Sequence, residues 1–220
     1  MERKVFKKLN YVLRMPTDFQ ANKKYPLVIY LHGAGGRGDN LDVIFEHPFF
    51  SRTEHSLKNA ISIAPQCYSD SWFNIFEQLQ EFVEYLFTWE RVDVSRVYLV
   101  GASMGGYATW QLAMSRPELF AAIVPICGGG MYWNAGRLVY MGVWAFHGDK
   151  DGTVFCEESQ KMVNAVNNCG GSARLTIYKD GNHDAWTETF ENDGVWQWLL
   201  MQKVHYQETK SEYDNVKQFG

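Results

Sequence analysis

The chain lacks any long apolar run. Its longest, such as Leu27–Leu31 and Ala121–Ile126, fall far short of the roughly 20 residues that span a bilayer. It also lacks an excess of positive charge: 21 Lys and Arg against 25 Asp and Glu leave a net charge of −4. That balance argues against nucleic acid as a main partner, because such affinity comes from neutralising phosphates. The opening carries Arg3, Lys4, Lys7 and Lys8 but no apolar core behind them, so it does not read as a secretory leader, and a cytoplasmic location is expected. Only four cysteines are present, too few for a disulfide scaffold at this length. Cys156 and Cys169 bracket a helical pattern that sets them about 20 Å apart, beyond disulfide reach. Cys67 and Cys127 both follow strand-like runs and could lie near each other, although reduced thiols are the expectation. None has paired zinc spacing. Repeats, low-complexity tracts and linkers are also missing, which points to one domain over residues 1–220.

What is present is aromatic: eight Trp, twelve Tyr and fourteen Phe, side chains that fill cores and line ligand pockets alike. Short apolar runs alternate with amphipathic stretches along the chain. Strands are expected at Tyr11–Met15, Leu27–Leu31, Ile61–Ala64, Val97–Val100, Ala122–Ile126, Val143–His147 and Leu175–Tyr178. The later runs are almost continuously apolar, as strands buried on both faces should be. Helical spacing links Ile75, Leu79, Phe82 and Leu86, with Asp70 or Ser71 placed to cap the start. Gly105–Ser115 stops before Pro117, Glu157–Asn168 ends in Gly170 and Gly171, and Val195–Lys203 closes the series. The fold class is therefore α/β: a doubly wound, mostly parallel sheet with helices on both faces and no segment long enough for a large lid.

Between the fourth run and its helix stands Gly101-x-Ser103-x-Gly105. A strand that turns at once into a helix crowds itself, so the flanking positions must lack bulk, and the serine hydroxyl is presented at the sheet's carboxyl edge. The pattern alone arises by chance in about one glycine-rich chain in ten; the buried strand before it and the helix after it make it informative. Three histidines follow: His147, His183 and His205. His183 lies directly after the last strand and before the last helix, where a base could reach Ser103. His205 sits near a charged tail without such placement, and His147 ends a strand and reads as a packed buttress. Asp149 and Asp151 both leave the end of the Val143–His147 run, and spacing alone does not separate them.

A rival motif lies upstream. Gly33-x-Gly35-x-x-Gly38 after a strand is the form of a dinucleotide fingerprint. That reading requires an acidic residue at the end of the next strand, where Pro65 and Gln66 stand instead, and a long helix after Gly38, which Pro48 interrupts.

These segments resemble the α/β-hydrolase superfamily, within it the group around polyhydroxybutyrate depolymerases, feruloyl and acetylxylan esterases and predicted peptidases. The resemblance is carried by Leu31–Gly36, Gly101–Trp110, Phe120–Gly130 and His147–Val154 over nearly the whole chain. It implies a chain order of Ser103, then Asp151 rather than Asp149 as acid, then His183. It implies an oxyanion hole from the backbone N–H groups of Ala34 and Met104, with His32 structural. It implies a serine hydrolase but says little about substrate, and leaves homo-oligomers, peptidase activity and a non-catalytic receptor role open. Nothing in the sequence suggests a metal or organic cofactor, and the aromatic residues on the strand-end loops suggest small, aromatic or sugar-type esters. Trp72, Trp133 and Trp186 follow strand ends and are expected to wall the substrate cleft, although each alone is better explained as a core or loop anchor.

Overall fold

A computed structural model describes residues 1–204; His205 lies outside them. Eight strands form one sheet: β1 (Glu2–Phe6), β2 (Leu9–Arg14), β3 (Tyr25–Leu31), β4 (Ile61–Pro65), β5 (Val92–Ala102), β6 (Ala122–Ile126), β7 (Gly142–Gly148) and β8 (Ala173–Tyr178). Their order across the sheet is β1-β2-β4-β3-β5-β6-β7-β8. β1 pairs with β2, and β2 with β4, antiparallel; every other pairing is parallel.

The alternation of side chains along β3 assigns the two faces. Leu27, Ile29 and Leu31 enter one core layer while Val28 and Tyr30 enter the other. The first layer is closed by helices α3 (Phe76–Phe87), α4 (Met104–Ser115) and α5 (Glu157–Asn168), through Phe82, Trp110 and Met162 among others. The second is closed by α1 (Asp42–Phe45), α2 (Pro48–Arg52), α6 (Trp186–Glu191) and α7 (Asp193–Met201), where Phe49 packs edge to face on Phe190 and Trp196. Among the described residues no helix is long and apolar enough to cross a membrane.

Several local expectations shift. Ser71 does cap a helical start, accepting the Phe73 N–H, but it opens a 3₁₀ turn (Trp72–Ile75) from which α3 continues. Pro48 begins α2 rather than breaking a helix, since a first-turn residue needs no N–H and the His47 ring caps the turn. The last helix runs from Asp193 to Met201, two residues ahead of its expected start. β1 was not expected at all: four of its five residues are exposed, so it has no buried face to write an alternating pattern. Cys67 and Cys127 do not lie together, because β3 and β5 separate the strands they follow. Three strand spacings put them about 14 Å apart, and all four thiols are free.

Candidate active site

Ser103 is the single residue between β5 and α4. Its φ of 56° and ψ of −117° lie in a region that disfavours any Cβ, which is the strain of the tight strand-to-helix turn. The turn closes only because its glycines lack bulk. A Cβ on Gly105 would run into the Leu31 carbonyl, and one on Gly101 into Gly105 and the Thr109 hydroxyl. The Ser103 N–H donates to Ile126 O at 2.9 Å, tying the turn to the end of β6.

Two loops deliver the partners. Beyond β8, His183 places Nε2 2.9 Å from Ser103 Oγ and Nδ1 2.7 Å from Asp151 Oδ2. Beyond β7, Asp151 is buried, and its other oxygen accepts the N–H groups of Thr153 and Val154 at 2.8 and 2.9 Å. Burial alone would raise this carboxyl. The hydrogen bonds from His183, Val154 and Thr153 outweigh it and hold the group below the usual carboxylate range. Asp149 is exposed and outside this line of contacts.

The glycine-rich loop lies against the same serine. A Cβ on Gly33 would touch Ser103 Cβ and Ala102 O, both at 3.4 Å. Ala34 opens a 3₁₀ turn (Ala34–Gly36) and Met104 opens α4, so each N–H stands at a helical start where no intrahelical acceptor exists. His32 anchors the loop: buried, it donates from Nδ1 to Gly33 O at 2.6 Å and accepts the Cys67 N–H on Nε2 at 2.9 Å. Burial lowers its pKa to about 4, against the smaller opposing pull of the Gly33 carbonyl. Gln66, which stands where a dinucleotide site would need an acid, is buried and holds the loop's far side by donating to Gly36 O and Asn40 O.

The three tryptophans part company. Trp72 is fully buried and donates to His32 O at 3.0 Å, so it is a core anchor under the loop and not a wall of the cleft. Its flat ring fills the first core layer, where burial of so large a side chain outweighs exposure on a loop. Trp186 stands edge-on to the His183 ring, 5.5 Å between centroids. Trp133 is 73% exposed, beside Tyr132. Phe155, on the loop after Asp151, is 68% exposed and was not singled out from sequence.

Cys127 also borders the site. Its sulfur and donor atoms of Asp151 and His183 lie within 4.8 Å of one another, the kind of set that holds a metal. The Asp151–His183 hydrogen bond already occupies two of the three donors. Burial raises the Cys127 thiol far above its ordinary range, so a coordinating thiolate is disfavoured there.

The prolyl oligopeptidase family is matched over residues 66–135. The chain is 30% identical over 151 residues to a probable feruloyl esterase C of Aspergillus niger, covering 64% of this chain and 54% of that protein. It is 25% identical over 232 residues to feruloyl esterase C of Emericella nidulans, covering 86% and 83%. A solved thermostable esterase superposes with a TM-score of 0.82 at 31% identity, over 92% of this chain and 63% of that one. The chain has the α/β-hydrolase fold. The chain spans about half to two thirds of the length of the Aspergillus relatives it matches.

Proposed function

We propose that the chain is a serine hydrolase of carboxylic esters, with Ser103 as nucleophile, His183 as base and Asp151 as the acid that orients it. The observation that carries this reading is the unbroken hydrogen-bonded line from Ser103 Oγ through the His183 ring to Asp151 Oδ2. His183 takes the hydroxyl proton as Oγ attacks the ester carbonyl, and Asp151 holds the Nδ1–H tautomer and balances the imidazolium. The N–H groups of Ala34 and Met104 receive the developing oxyanion, an arrangement worth several kcal/mol of barrier. His183 then returns the proton to the leaving alcohol, and water repeats the cycle on the acyl-enzyme.

Ester rather than peptide substrates are favoured by the feruloyl esterase relatives. Trp186 beside the base and the exposed Trp133 and Phe155 on neighbouring loops suit an aromatic or sugar-borne acyl ester. Peptidase activity on the same three side chains is the second reading, favoured by the prolyl oligopeptidase match. A cytoplasmic location is proposed with them, on the strength of four free thiols, and cell fractionation tests it.

Two measurements decide. A fluorophosphonate probe should label the wild type at Ser103 and leave Ser103→Ala unlabelled. A panel of p-nitrophenyl, feruloyl, acetylated-sugar and aminoacyl-anilide substrates should show turnover of esters well above anilides. Absence of labelling would remove the catalytic reading, and preference for anilides would replace the esterase by a peptidase.

A further inference from the structure

Asp151 carries a second imidazole. His147, near the end of β7, is fully buried, with Nε2 3.2 Å from Asp151 Oδ2 and 2.8 Å from the Val154 carbonyl oxygen. A carbonyl and a carboxylate only accept, so Nε2 bears hydrogen. On the other side of the ring, Nδ1 lies 2.7 Å from Ser159 Oγ, which is itself 2.9 Å from Gly128 O. The ring is thus pinned between α5, the segment after β6 and the turn that carries the acid.

We propose that His147 is a positioning residue for the acid, sharing Asp151 Oδ2 with His183 and thereby setting how strongly the carboxylate holds the base. The inference rests on the triad reading above. Oδ1 accepts two backbone N–H groups and Oδ2 accepts the His183 ring, while the His147 Nε2–H, which donates to the Val154 carbonyl, stands 3.2 Å from Oδ2. Each N–H this close offsets part of the carboxylate's negative charge. Removing the His147 donor leaves more of it for the His183 imidazolium, which is then held more tightly. Other titratable groups face this cluster: Tyr107 on α4, Cys127 after β6, Asp149 after β7, Cys156 and Glu158 at α5, and Asp184 after His183. All of them are retained in the variants below, so they do not produce a difference between variants.

The test compares kcat/KM against pH for wild type, His147→Leu, His147→Gln and Ser159→Ala. His147→Leu should move the acid limb to higher pH by about 0.3 units or more, and His147→Gln, which restores an N–H, should bring it back. Ser159→Ala should move it in the same direction by less, and it decides the kinetic arm if His147→Leu does not fold. A limb that stays in place in the folded variants overturns the proposal. A second measurement needs no turnover: nitrogen-15 NMR of the imidazoles across a pH titration, in wild type and Ser103→Ala. The His147 Nε2–H resonance should shift in step with the protonation of His183, and an unresponsive resonance overturns the proposal even if the chain proves not to hydrolyse esters.

Discussion

His32 accepts the backbone N–H of Cys67 on Nε2 at 2.9 Å, and that bond exists only while the imidazole is neutral. His47 is in the same position: its Nδ1 accepts the Phe49 N–H at the start of α2, and burial lowers its pKa to about 4 as well. In the unfolded chain both rings take up a proton near 6.5, in the folded chain only near 4. Above pH 6.5 neither form binds protons there and pH has no effect through them. Between 6.5 and about 4 the unfolded chain gains protons that the folded one excludes, so stability falls with pH, by up to about 3 kcal/mol for each ring. Calorimetric melting between pH 7.5 and 4.5 should show this fall. His47→Asn keeps an acceptor for Phe49 without titrating, and should flatten the curve; an unchanged slope would refute the assignment.

Ser103→Ala should lose at least about a thousandfold in kcat while melting within a few degrees of wild type. Asp151→Asn should cost about 10⁴-fold, because the wrong tautomer of the base is then held. Asp149→Asn, altering an exposed side chain, should stay within about twofold of wild type. Equal losses from the two aspartate variants would mean that the acid has been misassigned.

Gly105→Ala should destabilise the fold by about 1–3 kcal/mol or more, since the new methyl meets backbone and not a side chain that can swing away. Gly35→Ala meets nothing within 4 Å and should be tolerated. Denaturant midpoints of the two variants provide the comparison.

Trp72→Phe removes the indole donor to His32 O and should cost about 1–3 kcal/mol of stability. Trp133→Ala should leave the melting temperature in place and raise KM for aromatic esters by several-fold. The reverse pattern would return Trp72 to the cleft.

What could be read from the sequence was what local chemistry writes locally. The strand before Ser103, the glycines about it and the position of His183 after the last strand are all spacing signals, and the structure brings these side chains together. β1 was silent because an exposed edge strand has no apolar face. Trp72 and Trp133 looked alike because both follow strand ends; which one turns inward depends on the path of a loop and on what packs beneath it. The choice between Asp149 and Asp151 likewise depends on a turn two residues long, where one side chain leaves for solvent and the other turns inward.

The backbone at Ser103 has a further consequence. A residue without Cβ would sit in that turn at ease, so Ser103→Gly should make the protein harder to melt while silencing it. At this one position durability and reactivity ask for different amino acids, and the chain carries the one that reacts.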